Sequence, residues 1–529
     1  MNWKQWAAVG TAVCMSSAAL LTGCTSSKDG GEAAVGDITF PLKETVTLTY
    51  WMPLDPTVSK NHSTMNDTEL YKELEKRTGV KLEFQHPPLG QEQEQFNLMV
   101  ASNELTDIFE YDMSLYQGGA QKALTDEIIS PLNDRMEQYA PNLTAVLKQN
   151  PEWDKSVKTD DGTYYTFPFI RGDDRLRVYG GAMMRQDWLE ELGLSMPETV
   201  EEWETVLTAF KEQKGATNPL SIELKKFKLY NIIAGAYGVA NDMFLDDNGI
   251  VQFGPMMPTY KEYLATVKRW YDRGLLDRDF ATNDGAAVTS KITTGKAGAT
   301  VGTTGGNLGN YMNIMKSQDT QFNLMPAPYP TLNKGERPQF GQVDPSAGQN
   351  AFISPMCKQP EIAMKLLDYG YSEDGHMLFN FGVEGVSYNM QEGKPVYTEE
   401  ITNHPQGWSF AESLTQYARS SNNGPFVQDY DYIEQYCSLP QQQAAISMWS
   451  DTDAKKHVMP SATPTVEESQ RYAQIMADID TYCEEMYLKF ILGSESLDNF
   501  DTYVQHIKDM GIEEAVQIQR DAVERYNNR

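Results

Sequence analysis

The sequence predicts an α/β protein of more than one domain, ending in a helical region. Three observations carry this. Strand-like and helix-like segments alternate in the N-terminal part, the rhythm of a parallel sheet with crossover helices. From about residue 360 the apolar spacing is mostly that of helices. The chain has 529 residues, more than the ~250–300 at which single hydrophobic cores stop growing.

The N-terminus carries Lys4, then an apolar stretch of 15 residues from Ala7 to Leu21. That is short of the about 20 residues a membrane span needs and has the layout of a secretory signal. It ends in Leu21-Thr22-Gly23-Cys24, which resembles the lipobox of bacterial lipoproteins. There the cysteine thiol receives a diacylglycerol and cleavage leaves Cys24 as the first residue. Residues 1–23 therefore read as the signal, and their loss takes a formal charge of −30 to −31 and leaves 529 − 23 = 506 residues. Residues 24–37 are small and polar, a flexible tether.

In the body, Val46, Leu48 and Tyr50 alternate with threonines, the period of a strand ending at Trp51. Pro53 and Pro56 break it. A helix is expected from Asn66, capped with Glu69, presenting Leu70 and Leu74 on one face and stopped by Gly79. Val80, Leu82 and Phe84 form a second strand, residues 92–102 a second helix, and Asp107-Ile108-Phe109 a short buried strand. Thr199 and Glu202 make a capping box. The spacing of Trp203, Val206, Leu207 and Phe210 predicts an amphipathic helix, which assigns Trp203, with Trp188, to the core. Helices are expected at 360–370, 412–420, 465–491, 499–509 and 512–526.

Composition narrows function. A net charge of −30 and a pI near 4.6 disfavour a nucleic-acid binder, which needs a basic face, and charge-driven adhesion to anionic lipid. Five cysteines in 529 residues rule out a disulfide framework, and free buried thiols are expected at Cys357, Cys437 and Cys483. The six histidines are scattered without ligand spacing, so no zinc site is expected. HExxH, paired CxxC and GxSxG motifs are absent. Gly295-Lys296 lacks the Ser/Thr and the first glycine of a phosphate loop, and Asp246-Asp247-Asn248-Gly249 reads as a plain turn. No catalytic residue, cofactor or metal is expected.

Taken in order, the lipobox, the tether, VTLTYWMP, LEKRTGVKLEF, LTDIFEYD, DGTYYTFPF, MMRQDWLEELGLSMPETVEEWETVLTAF, ITTGKAGATVG, FGVEGVSYNM and FDTYVQHIKDMGIEEAVQI resemble the family 1 extracellular solute-binding proteins, in particular their large, LipO-like lipoprotein branch. The resemblance covers nearly the whole mature chain. It implies a two-lobed, type II periplasmic-binding-protein-like clamshell with hinge strands. It also implies capture of a carbohydrate, in most cases an oligosaccharide, and delivery to the permease subunits of an ABC importer. The protein would be a monomer at the extracellular face of the cell membrane, held by its lipid alone. The hinges are expected at Gly162–Pro168, Thr300–Thr304 and Gly341–Gly348. Residues 38–168 with 302–345 then form lobe 1, and 169–301 with 346–529 form lobe 2. The calcium loop that some members carry after the Trp-containing helix is missing from residues 211–224.

A sugar site needs planar aromatics for C–H faces and polar side chains for hydroxyls. The resemblance implies that Glu110-Tyr111-Asp112 after the third strand reaches the ligand, with Tyr111 and Asp112 in the places where maltose-type relatives supply a Trp and an Asp. Trp51 ends the first strand, and Tyr165 and Arg171 flank the hinge, where Arg171 either binds ligand or pairs with Asp173 or Asp174. Asn307 lies in the glycine-rich segment, Glu384 in GVEGVSY, and Trp408 on a loop after Gly407. Two readings compete with a binding lipoprotein: a lipid-anchored carbohydrate-active enzyme, and a sensor feeding a membrane kinase.

Overall fold

The computed structural model describes residues 38–529, and the segments read as lipobox and tether lie outside them. Phe40–Arg529 form one compact unit. Val46–Trp51 (β1), Val80–Gln85 (β2) and Ile108–Glu110 (β3) are the three expected strands. β1 lies between the other two and pairs in parallel with both, with Leu48 opposite Leu82 and Tyr50 opposite Phe84 and Ile108. Helices Glu69–Thr78 and Glu92–Ser102 make the crossovers.

The first of these helices begins later than expected. Asn66 does not cap it: its side chain donates to the Leu82 carbonyl and accepts from the Phe84 N–H, so it ties a short turn to β2. A cap and an edge clasp use the same short amide, and spacing alone does not separate them. Gly79 does end the helix, at φ 71°, where a Cβ would lie 2.8 Å from the Leu42 nitrogen.

Phe167–Arg171 (β4) extends this sheet. Gly180–Arg185 (β5) starts a second one. Met243–Leu245 (β6) and Val251–Phe253 (β7) form a hairpin around the expected Asn-Gly turn, with Gly249 at φ 73°. Ala299–Thr303 (β8) and Leu324–Ala327 (β9) pair antiparallel with the two edges of β5. Ala347–Ile353 (β10) then inserts antiparallel between β3 and β4. A hairpin of Tyr388–Gln391 (β11) and Lys394–Tyr397 (β12) precedes Val427–Gln428 (β13), which closes the first sheet beside β4. The sheet orders are β13-β4-β10-β3-β1-β2 and β8-β5-β9.

These pairings correct the expected lobe boundaries. β9 and the last two residues of β8 belong to the second sheet, not to lobe 1, and β10 and β13 belong to the first sheet, not to lobe 2. The expected hinge at 300–304 falls largely in β8, inside the second lobe. The chain passes between the sheets at 172–179 and 328–346. It passes again at 429–439, after which helix Pro440–Ser450 packs on β9 and β5. Glycine content marks close approach as well as bending: a Cβ on Gly302 would sit 2.6 Å from the Asn307 side chain, a packing reason rather than a hinge.

The C-terminal helices Val466–Leu492, Phe500–Asp509 and Ile512–Asn527 complete the second lobe's core. There the Tyr263 and Tyr487 hydroxyls meet at 2.9 Å. Trp188 and Trp203 are buried in the same core, and the Thr199–Glu202 capping box is formed. Cys357, Cys437 and Cys483 are all unpaired, and burial pushes their thiols up, that of Cys437 to about 11. No helix of the described residues is long and apolar enough to cross a membrane.

One surface contact sets an acid limit. Glu412 caps helix Phe410–Tyr417 through Ser409 and takes Lys60 from the loop after β1 at 2.9 Å. Lys60 and the Ser409 N–H lower its carboxyl from 4.5 to about 2. A depressed carboxylate stabilises the fold above its unfolded value, and that stability disappears as pH falls from about 4.5 toward 2. Glu412→Gln is expected to flatten this part of a pH–stability curve. An unchanged acid limb would show the pair to be inert.

Candidate ligand cleft

The passages between the sheets bring polar side chains of both lobes together. A cavity of about 300 Å³ lies between Phe169, Arg171 and Gln428 of the first sheet and Thr303, Thr304 and Gly305 at the end of β8. A larger one, about 980 Å³, is walled by residues 340–344 of the middle passage, by helix Leu224–Leu229, by the β6–β7 hairpin and by Asp480–Glu484 of the long C-terminal helix.

Asp344 links the two. Its carboxylate accepts from the Arg171 guanidinium, from the Tyr179 hydroxyl at 3.1 Å and from Gln342 Nε2 at 2.9 Å. Arg171 also donates to the Pro345 carbonyl at 3.0 Å and lies over the Phe169 ring. Gln342 Oε1 accepts the N–H groups of Tyr179 and Gly180 at 2.8 and 3.1 Å. Two passages are thus clasped by charged and backbone hydrogen bonds. Burial, reinforced by Asp344, raises the Tyr179 hydroxyl well above its ordinary value, so it stays a donor. Arg171 pairs with neither Asp173 nor Asp174, which hold Arg175 and Arg177 instead.

Asn307 sits beside the smaller cavity in the π-helical segment Thr304–Gly309. Its Oδ1 accepts from the Thr303 N–H at 2.9 Å and from Lys226 at 3.4 Å, and its amide donates to the Tyr311 hydroxyl. It follows the Gly305-Gly306 wall in the chain and lines neither cavity itself.

The other expected residues lie elsewhere. Trp51, Tyr111 and Tyr165 are buried in one aromatic cluster of the first lobe. Tyr111 stacks on Phe96 at 3.9 Å, Trp51 packs edge-on against Tyr111 at 6.2 Å, and Tyr165 stacks on Phe352. Burial, then Asp112, pushes the Tyr111 hydroxyl up to about 12. Glu110 is buried against Arg419. Asp112 is exposed and caps a short turn by accepting from the Ser114 N–H at 2.9 Å. Glu384 is exposed on the turn before β11. Trp408 stacks flat on His404 at 4.3 Å. None of these lines either cavity. Trp51 fits the core because aromatic residues at the end of a parallel strand face a crossover helix as readily as a cleft.

Tyr179, Gln342, Asp344 and Gln428 were missed. Gln342 and Asp344 fall inside the segment marked by Gly341 and Gly348, and a carboxylate in a proline-rich crossing was the signal available. Among the described residues no group of three or more His, Cys, Asp or Glu is placed to hold a metal ion.

Two α/β lobes joined by repeated crossings, with cavities along those crossings, define a two-lobed solute-binding protein of type II architecture. Residues 64–377 match the bacterial extracellular solute-binding protein family, and the chain belongs to it. It is 25% identical to the lipoprotein LipO of Bacillus subtilis over 96% of both chains. It is 26% identical to the fructooligosaccharide ABC transporter substrate-binding protein FusA of Streptococcus pneumoniae, a match that covers 52% of this chain and about half, 53%, of that protein. The alginate-binding protein AlgQ2 superposes with a TM-score of 0.76 at 27% identity, covering 92% of this chain and all of that one. FusA in complex with kestose superposes at 0.74 and 20% identity, over 91% and 99%. The family and these neighbours are binding proteins, not enzymes.

Proposed function

We propose that this protein binds an oligosaccharide between its two lobes and delivers it to an ABC importer, acting as a monomer tethered through a lipid on Cys24 at the extracellular face of the membrane. The observation that carries the binding reading is the Arg171–Asp344–Tyr179–Gln342 clasp, set where the chain crosses between lobes and bordered by both cavities. Relatives named for sugar ligands support the substrate class. A clasp of this kind lets closure be coupled to ligand hydroxyls, because each side chain in it retains hydrogen-bonding capacity.

The test is a thermal-shift and calorimetric screen of the purified chain against a glycan panel that includes kestose. A sugar that binds the folded state raises the melting temperature, and a panel without any binder overturns the reading. Asp344→Ala removes the shared acceptor. Hydrogen bonds to a charged group are worth about 1.5–3 kcal/mol each, so affinity for the best sugar is expected to fall by about tenfold or more, with unchanged affinity counting against the clasp. Cys24→Ala is expected to abolish incorporation of labelled fatty acid. Lipidation that persists in the variant would remove the anchor from the proposal.

A further inference from the structure

The larger cavity has a charge balance that bears on which oligosaccharides it accepts. Six carboxylates line it, those of Glu223, Asp242, Asp284, Asp344, Asp480 and Glu484. The lining amines are Lys225 and Lys228. Two of the six carboxylates are neutralised by cations at the rim, Asp344 by Arg171 and Glu223 by Lys226. Asp242 and Asp480 have no ion-pair partner among the described residues. Asp242 sits at the start of the β6–β7 hairpin with only the Met243 N–H, at 2.7 Å, on its carboxylate, and Asp480 faces it from helix Val466–Leu492. Both keep solvent contact within a concave wall. That wall removes part of their hydration, and burial together with the neighbouring Asp242 raises the Asp480 carboxyl to about 6. Burial raises the Asp242 carboxyl as well, with Lys228 opposing the rise at both, and the four carboxylates without an ion pair among the described residues outnumber the two lining lysines, which leaves the cavity a negative field. The low-dielectric walls of a cleft concentrate such a field, and the protein's net charge of −30 adds to it at long range.

Resting on the carbohydrate reading above, we infer that the larger cavity discriminates against carboxylated sugars: its ligand is an oligosaccharide without uronate groups, and amino-sugar units are accepted beside Asp242 and Asp480. This separates the chain from relatives named for polygalacturonan/rhamnogalacturonan and alginate, whose ligands carry a carboxylate on most or all of their uronate units. A uronate entering this cavity meets two unpaired carboxylates, whereas an uncharged sugar supplies hydroxyl donors to the same oxygens and an ammonium supplies charge-assisted ones.

The experiment measures affinity of the full chain for matched pairs that differ in charge. The pairs are kestose and its primary-alcohol-oxidised carboxylate, methyl-esterified tetragalacturonate and the free acid, and N-acetylated chitotetraose and its free amine. In every pair that binds, the carboxylate member is expected to bind at least about tenfold more weakly, and the amine at least as tightly as its acetylated form. Asp242→Asn with Asp480→Asn should bring the carboxylate penalty toward one. Should that variant not fold, 1 M salt applied to the native chain should do the same. A carboxylate member that binds as tightly as its neutral partner overturns the inference while the carbohydrate reading stands. A penalty unmoved by both the double variant and salt also overturns it, because the loss would then be steric. Failure of every pair to bind takes down the carbohydrate reading and this inference with it.

Discussion

Glu110→Ala is expected to destabilise the protein by about 3–5 kcal/mol, the cost of leaving a buried charge without its partner. Both oxygens of Glu110 are held by Arg419, at 2.6 and 2.8 Å, and the pair is almost wholly buried. The Tyr50 hydroxyl donates to Glu110 at 2.7 Å, and Arg419 donates to the Tyr71 hydroxyl at 3.0 Å. Burial works against the Arg419 charge, but Glu110 outweighs it and holds the guanidinium protonated. Burial, then Glu110, drives the Tyr50 hydroxyl far above its ordinary value, so it remains a donor. Removing Glu110 orphans the whole group. Replacing both partners by apolar residues, Glu110→Leu with Arg419→Met, should recover most of the loss. The measurement is the denaturation midpoint of each variant. Because Glu110 was also a ligand-binding candidate, the same variants are assayed for sugar affinity: a structural role predicts lost stability and near-native affinity in the double variant. A Glu110→Ala protein as stable as the native one would show that water reaches the site.

Trp449→Ala is expected to cost a similar amount, about 3–5 kcal/mol, through the cavity it leaves. Trp449 is fully buried on helix Pro440–Ser450, and its Nε1 donates to the Ala327 carbonyl of β9 at 3.0 Å. Its indole covers Gly181 of β5 so closely that a Cβ there would come within 2.4 Å of the ring. Gly181→Ala alone should therefore cost about 1–3 kcal/mol by overpacking, and most of that should vanish when Trp449 is already alanine. The double-mutant cycle isolates this coupling. Additive effects would mean that the returning helix does not rest on β5. The contact matters to the architecture because it seats chain arriving from the first lobe on the second lobe's sheet.

The local elements were legible. Alternation in VTLTYW, the apolar face of the helix containing Trp203, the Thr199 capping box and the long C-terminal helices rest on spacing within a few residues, which the chain carries wherever it goes. Strand partners were less so. Nothing in the sequence of residues 347–353 states that they pair antiparallel between β3 and β4. That choice is made by segments far apart in the chain competing for the same edge, and it displaced the expected lobe boundaries. Candidate site residues divided the same way. Arg171 lines the smaller cavity and Asn307 follows its Gly305-Gly306 wall, because they belong to segments that cross or border it. Trp51, Glu110 and Tyr111 lie at a strand end that a helix and an arginine from residue 419 cover instead.

By itself, then, the sequence determined the class of fold, the order and type of its main elements, the family resemblance and the lipobox. Tertiary structure alone decided where the chain crosses between lobes, that Arg171 takes Asp344 rather than its near neighbours, and that Glu110 is neutralised at a distance. The physical reason is range. Periodicity and capping are set by neighbours three or four residues away. Ion pairs, sheet edges and cavities are set by which distant segments come to share one volume, and a side chain's role follows from what occupies that volume with it.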